Sequence, residues 1–160
     1  MLSVQLICVG KLKEAYWRDA CSEYAKRLSA YCKFSIIEVD ESHVPENASQ
    51  AQINTAIESE GGRILKKIPT GSKVITLCIE GKPISSEALS KQIDTLAVNG
   101  ANSISFIIGG SWGLSEEVKR QSILRLSMSV MTFPHQLARV MMCEQLYRAF
   151  QISSGGKYHK

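Results

Sequence analysis

At 160 residues the chain suits one domain better than two, and it is long enough to bury roughly two thirds of its unfolded surface around one core. Its 44% hydrophobic and 21% charged residues are ordinary soluble globular usage, and no apolar run approaches the roughly 20 residues that span a bilayer. A formal net charge of +4 is compatible with a polyanionic partner and does not by itself require one.

The opening residues Met1 to Leu6 lack the charged start and long apolar stretch of a secretion signal, so they read as the approach to a first strand and a cytoplasmic location is expected. That strand is Val4 to Val9, closed by Gly10. Trp17, Cys21, Tyr24 and Leu28 then recur at helical steps and share one face. A second strand, Phe34 to Val39, leads into a polar loop from Asp40 to Gln50. Ile53, Ile57, Ile64, Leu65 and Ile68 mark a second helix, with Gly61-Gly62 as its weak point. A third strand spans Val74 to Ile79, and Leu89, Ile93 and Leu96 mark a helix that starts at Ser85-Ser86 and stops near Asn99-Gly100. Ile104 to Ile108 is the fourth strand and Ser122 to Ser127 a weaker fifth. Near-continuous apolar strands that alternate with helices predict an α/β fold with a parallel sheet covered on both faces, in one domain over residues 1–160.

The last helix, His135 to Ile152, carries two apolar stripes. Val140, Cys143, Tyr147 and Phe150 form one; Ala138, Met142, Leu146 and Ala149 form the other. So wide an apolar circumference fits a helix buried on two sides within one chain, or one that also packs on a second copy. The pattern favours the dimer.

Four stretches have the residue types for chemistry. Gly109-Gly110-Ser111-Trp112-Gly113 follows a strand and precedes a helix start at Ser115, the place where open parallel sheets bind ligands. Its glycines permit close backbone approach, but the spacing is neither G-x-G-x-x-G nor a P-loop, which argues against a nucleotide-dependent oxidoreductase. Met128 to Gln136 is a strand-to-helix connection in which Pro134 suits the first helical position. On the last helix, Glu144 and Arg148 stand four apart and can pair, and these charges together with Arg139 need a wet cleft, a partner or a ligand on an otherwise apolar surface. In the closing residues, Tyr158 and His159 lie between Lys157 and Lys160, a set suited to stacking on a base and meeting phosphate. The five cysteines form no C-x-x-C pair and the three histidines are scattered, so no metal site is expected.

Taken together, the motifs carry a family resemblance. They are Val9-Gly10-Lys11-Leu12-Lys13-Glu14, Tyr16-Trp17, Glu23-Tyr24, Lys26-Arg27-Leu28, Ile37-Glu38-Val39, Glu60-Gly61, Gly81-Lys82 before Ser85-Ser86-Glu87, Gly109-Gly110-Ser111, Met131-Thr132-Phe133-Pro134-His135, Glu144-Gln145, Tyr147-Arg148-Ala149-Phe150 and Tyr158-His159-Lys160. This set resembles the ribosomal RNA large subunit methyltransferase H family of the SPOUT superfamily, over nearly the whole chain. The resemblance implies a homodimer whose C-terminal part is tied in a trefoil knot, an exception to the rule that chains avoid knots. It implies S-adenosylmethionine as methyl donor, bound by Leu77, Gly109, Met128, Ser129, Val130, Met131, Thr132 and Phe133. It implies N3-methylation of a pseudouridine in a large-subunit rRNA stem-loop, on the assembled ribosome. Arg139 is then the candidate for stabilising the developing anion, Tyr158 and His159 for holding the base, and His159 for removing the proton. Trp112 departs from relatives that often carry a smaller or polar residue there. A ribosome-binding module without chemistry is the non-enzymatic alternative.

Overall fold

The computed structural model describes residues 1–160. The elements alternate strictly: β1 (Ser3–Val9), α1 (Ala15–Leu28), β2 (Lys33–Val39), α2 (Gln50–Lys67), β3 (Lys73–Pro83), α3 (Ser86–Val98), β4 (Ser103–Ile108), α4 (Glu116–Arg120), β5 (Ser122–Ser127) and α5 (His135–Ser153). All strands run parallel, in the order β2-β1-β4-β3-β5. Successive side chains on a strand face opposite ways. Val4, Leu6 and Cys8 of β1, with Ile104, Phe106 and Ile108 of β4, therefore pack against α1, α3 and α5. Ile7, Val9, Val74 and Ile107 pack on the other face, against Ile64 of α2 and Val118 of α4. Helices on both faces account for strands that are apolar along nearly their whole length.

The strand starts are polar and internally satisfied. Gln5, Ser72, Ser103 and Ser105 form one hydrogen-bonded group there, at 2.7 to 3.2 Å. The carboxyl ends of the strands carry the glycine-bearing loops.

α2 runs unbroken through Gly61-Gly62, from a capping box in which Ser49 and Gln52 exchange side-chain and backbone bonds. The two glycines have different reasons to be there. A Cβ on Gly61 would fall on Ser115 Oγ, the hydroxyl that accepts from the Val118 amide at 3.2 Å and caps α4. Nothing lies within 4 Å of a Cβ built on Gly62. Adjacent glycine-to-alanine substitutions should thus have opposite signs. Gly62→Ala is expected to raise stability by up to about 1 kcal/mol, the helix-propensity difference. Gly61→Ala is expected to lower it by about 1–3 kcal/mol through overpacking. Urea midpoints of the two variants check this.

α5 lies between α1 and α3 on one face of the sheet. It buries Arg139, Met142, Cys143, Leu146 and Ala149. These neighbours of the same chain cover one side of its apolar circumference, while Ala138, Val140, Tyr147 and Phe150 stay partly exposed, the two aromatics packing on Tyr24 and Tyr31. Two details differ from the sequence expectation. Pro134 is the non-helical cap of α5 (ψ 142°), one residue before the first helical position, and its carbonyl accepts from the Ala138 amide. β3 extends to Pro83, because its register against β5 shifts between Leu77 and Lys82 and pairing resumes beyond a protruding stretch.

All five cysteines are buried free thiols, and burial pushes Cys8 up to about 12. No helix is long and apolar enough to cross a membrane. No group of three or more His, Cys, Asp or Glu side chains is placed to hold a metal ion.

Candidate functional site

The strand order creates the site. β4 and β5 pair with opposite sides of β3, so the segments leaving β4 and β5 converge over the end of β3. Between them opens a cleft of about 760 Å³. Its walls are Leu77 to Glu80 from β3, Ile108 to Leu114 after β4, and Leu126 to Ser129 with Met131 to His135 after β5. Leu77, Gly109, Met128, Ser129, Met131, Thr132 and Phe133 all line it. Val130 is not among the lining residues, and its side chain is 92% exposed.

The glycine turn is folded tightly on itself. The Gly113 amide donates to the Gly110 carbonyl at 3.1 Å, and Gly113 has a left-handed φ of +85°, which glycine adopts without strain. A Cβ on Gly109 would stand 2.7 Å from the Gly113 carbonyl oxygen. Trp112 rides the tip of this turn at the cleft's edge, about half exposed. The protruding stretch of β3 forms the opposite rim. There a Cβ on Gly81 would meet the Arg125 carbonyl at 2.7 Å, and Ile79 is exposed. The segment after β5 is held by short-range bonds: Ser127 Oγ donates to the Ser129 carbonyl at 2.9 Å, and the Met131 amide donates to Ser129 Oγ at 3.0 Å. His135 closes this wall, and burial, followed by the Arg139 charge, lowers its pKa, which favours the neutral ring.

Behind the glycine turn stands Glu60 of α2. It is buried, accepts from the Ser42 amide at 2.8 Å, and would lie 3.5 Å from a Cβ on Gly110. Burial raises its pKa, and the Ser42 amide and Arg63 oppose that rise. Arg63 pins the same loop by donating to the Asp40 carbonyl at 2.7 Å and to Ser42 Oγ at 3.0 Å.

A second cleft of about 470 Å³ lies between the start of α3 and α5, and it shares Leu126, Ser127 and Met128 with the first. Glu144 and Gln145 form part of its wall. The last residues of the chain fold onto Glu144. Tyr158 Oη donates to Glu144 Oε1 at 3.1 Å, and its ring stands edge-on to Tyr147. Arg148 binds Glu144 through Nε at 2.9 Å, covers the Tyr158 ring at 4.8 Å, and reaches His159 Nδ1 at 3.0 Å. A guanidinium has only donors, so His159 Nδ1 is the acceptor and Nε2 carries the hydrogen given to Glu87 at 2.7 Å. Burial, with hydrogen bonds to Tyr24 and Glu144, pushes Tyr158 up to about 12 and keeps it a neutral phenol.

Arg139 does not join this group. Its side chain is 2% exposed and donates to Glu38 Oε2 at 2.6 Å and to the Gly10 carbonyl at 3.1 Å. The guanidinium contacting Tyr158 and His159 is that of Arg148. Sequence reasoning saw the Glu144–Arg148 spacing, but nothing in the spacing shows that the chain's last residues return to it.

The family described as "Predicted SPOUT methyltransferase" matches residues 2–159. The chain belongs to the SPOUT methyltransferase family. This SPOUT methyltransferase is 52% identical over 159 residues to the ribosomal RNA large subunit methyltransferase H of Clostridium botulinum strain Alaska E43, and the match covers 99% of this chain and 100% of that one. It is 48% identical, with the same coverage, to the protein of that name from Leuconostoc mesenteroides. A solved structure of a probable methylase family protein from Haemophilus influenzae Rd KW20 shares the fold with a TM-score of 0.53 at 13% identity, over 98% of this chain and 70% of that one. A SPOUT methyltransferase works with a methyl donor.

Proposed function

We propose that this SPOUT methyltransferase carries a methyl group from S-adenosylmethionine to N3 of a pseudouridine in a large-subunit rRNA stem-loop, with the assembled ribosome as substrate. The observation that carries the reading is the cleft over β3, lined by seven of the residues that the resemblance nominates. The lining fits the donor. Leu77, Leu114, Leu126 and Met128 offer apolar surface to an adenine and its ribose, and the tight glycine turn brings backbone groups within reach. The donor supplies an electrophilic methyl on a sulfonium, a chemistry that needs no metal.

The chain's own residues then have four tasks. The glycine turn and Met128 to Phe133 hold the donor. Tyr158 and His159 hold the acceptor base, by stacking and hydrogen bonding. Arg148, in contact with both, is the cation placed to stabilise the anion that develops when the ring nitrogen loses its proton. Arg139, paired with Glu38, fixes the first turns of α5 and so the direction of the segment entering the cleft. The proposal includes a homodimer and a knotted path for the chain beyond β4, and it places the enzyme in the cytoplasm beside its ribosomes. Relatives that carry the name ribosomal RNA large subunit methyltransferase H at about half identity over the full length support the substrate class.

The experiment is transfer of labelled methyl to ribosomes that lack this modification, followed by mapping of the labelled nucleotide. Label at any other base, or none, refutes the reading. His159→Ala separates holding from proton removal. With Nδ1 occupied by Arg148, the expected result is a higher KM for ribosomes with kcat little changed. A fall in kcat of about 10²-fold or more would instead make His159 the proton acceptor.

A further inference from the structure

We propose that the β1–α1 connection, from Lys11 to Tyr16, is a second RNA contact surface, holding backbone phosphate with Lys11 and Lys13 and stacking one unpaired base on Tyr16. The inference rests on the rRNA reading and extends it to residues outside both clefts.

The connection is braced from beneath by two arginines. Arg139 donates to the Gly10 carbonyl at 3.1 Å, and Arg18 Nη1 donates to the Leu12 and Lys13 carbonyls at 2.9 and 2.6 Å. Leu12 is buried between them, and the Gly10 amide is tied to the Val39 carbonyl at 2.8 Å. Three carbonyls held by guanidinium groups give this short segment a fixed path. Its outward side carries Lys11, Lys13 and Glu14, all exposed, and then the residues that begin α1, so the segment keeps one net positive charge. Both lysines are exposed, and neither is within ion-pair distance of a carboxylate. Glu14 caps α1 without a side-chain bond to its amides, and it is not within ion-pair distance of either lysine. Tyr16 is 63% exposed and stands edge-on against Trp17 at 4.9 Å, which leaves a ring face open. Fixed cations beside an open aromatic ring suit single-stranded RNA rather than a protein partner, since they meet phosphate and base together. The location agrees. β1 neighbours β4, and Val9 lies against Gly110 of the glycine turn, so this surface and the donor cleft share one end of the sheet.

The test measures binding of large ribosomal subunits lacking the modification, as a function of salt. Each lost phosphate contact flattens the slope of log K against log salt by about 0.7–0.9. Lys11→Ala/Lys13→Ala should flatten it by about 1.5 and weaken binding at physiological salt, with the S-adenosylmethionine Kd unchanged. Tyr16→Ala should weaken binding by about 5- to 100-fold, and Tyr16→Trp should restore it. An unchanged slope in the lysine variant overturns the proposal. So does a change of oligomeric state in sedimentation, which would make this surface a contact between copies of the chain. Methyl transfer by the unaltered chain is scored separately, so failure of the rRNA reading is seen in that assay and not in this one.

Discussion

Gly109→Ala is expected to weaken S-adenosylmethionine binding by about 10- to 100-fold while leaving the fold intact. The added methyl would sit 2.7 Å from the Gly113 carbonyl oxygen and 3.1 Å from Leu114 Cδ2. The first neighbour is backbone and cannot rotate away. The turn must open, and overpacking of this kind costs about 1–3 kcal/mol, which at about 1.4 kcal/mol per tenfold gives the stated range. The cost falls mainly on donor binding because the turn is a wall of the cleft, and it touches the core only at Leu114. A calorimetric titration checks the affinity, with Gly62→Ala as a control that adds the same methyl where nothing lies within 4 Å. Wild-type affinity in Gly109→Ala would mean that the donor binds away from this turn.

The second large effect is expected at Glu38. Removing its carboxylate strands the Arg139 guanidinium, whose side chain is 2% exposed and whose Nε already lacks a partner. Breaking a buried pair in this way costs about 3–5 kcal/mol. Arg139→Met should cost less, because the carboxylate left behind is 36% exposed and can turn to water. Combining Glu38→Ala with Arg139→Met should recover much of the loss, since no charge is then left enclosed. Urea unfolding of the two single variants and the double variant measures this ordering. If Glu38→Ala were as stable as the parent, the guanidinium would have another anion or water to meet, and its assigned task of fixing α5 would fall.

The fold was legible wherever burial leaves a periodic trace. β1, β2, β4 and β5 stand within a residue of their apolar runs, because strands covered on both faces need apolar residues at nearly every position. β3 was cut short for the same reason: Glu80, Gly81 and Lys82 are polar or small, and only the partner strand shows that pairing resumes beyond them. Gly61 looked like a weakness in α2, because its function is steric and its neighbour, Ser115, is 54 positions further along the chain. That the nominated residues share one cleft follows from the sheet order, which brings the segments after β4 and β5 together over β3. Val130 comes with the Met128 to Phe133 segment that the resemblance nominates, and its side chain is exposed. Arg139 illustrates the opposite limit. One arginine within an apolar stripe has the same sequence signature whether it faces a ligand or a carboxylate from another strand. Glu60 stands in a quoted motif without a role, and Arg63 gives no signal, since their bonds reach a loop about twenty residues earlier.

Leu126, Ser127 and Met128 are a party wall between two chambers, the cleft over β3 on one side and the hollow walled by Glu144 and Gln145 on the other. Whatever fills one chamber sets the position of the surface presented to the other. If a bound donor shifts this wall to favour the RNA, thermodynamic reciprocity requires that the RNA improve the donor's affinity by the same factor. Coupling of that kind would run through a three-residue strip at the end of one strand, with no moving domain between the two chambers.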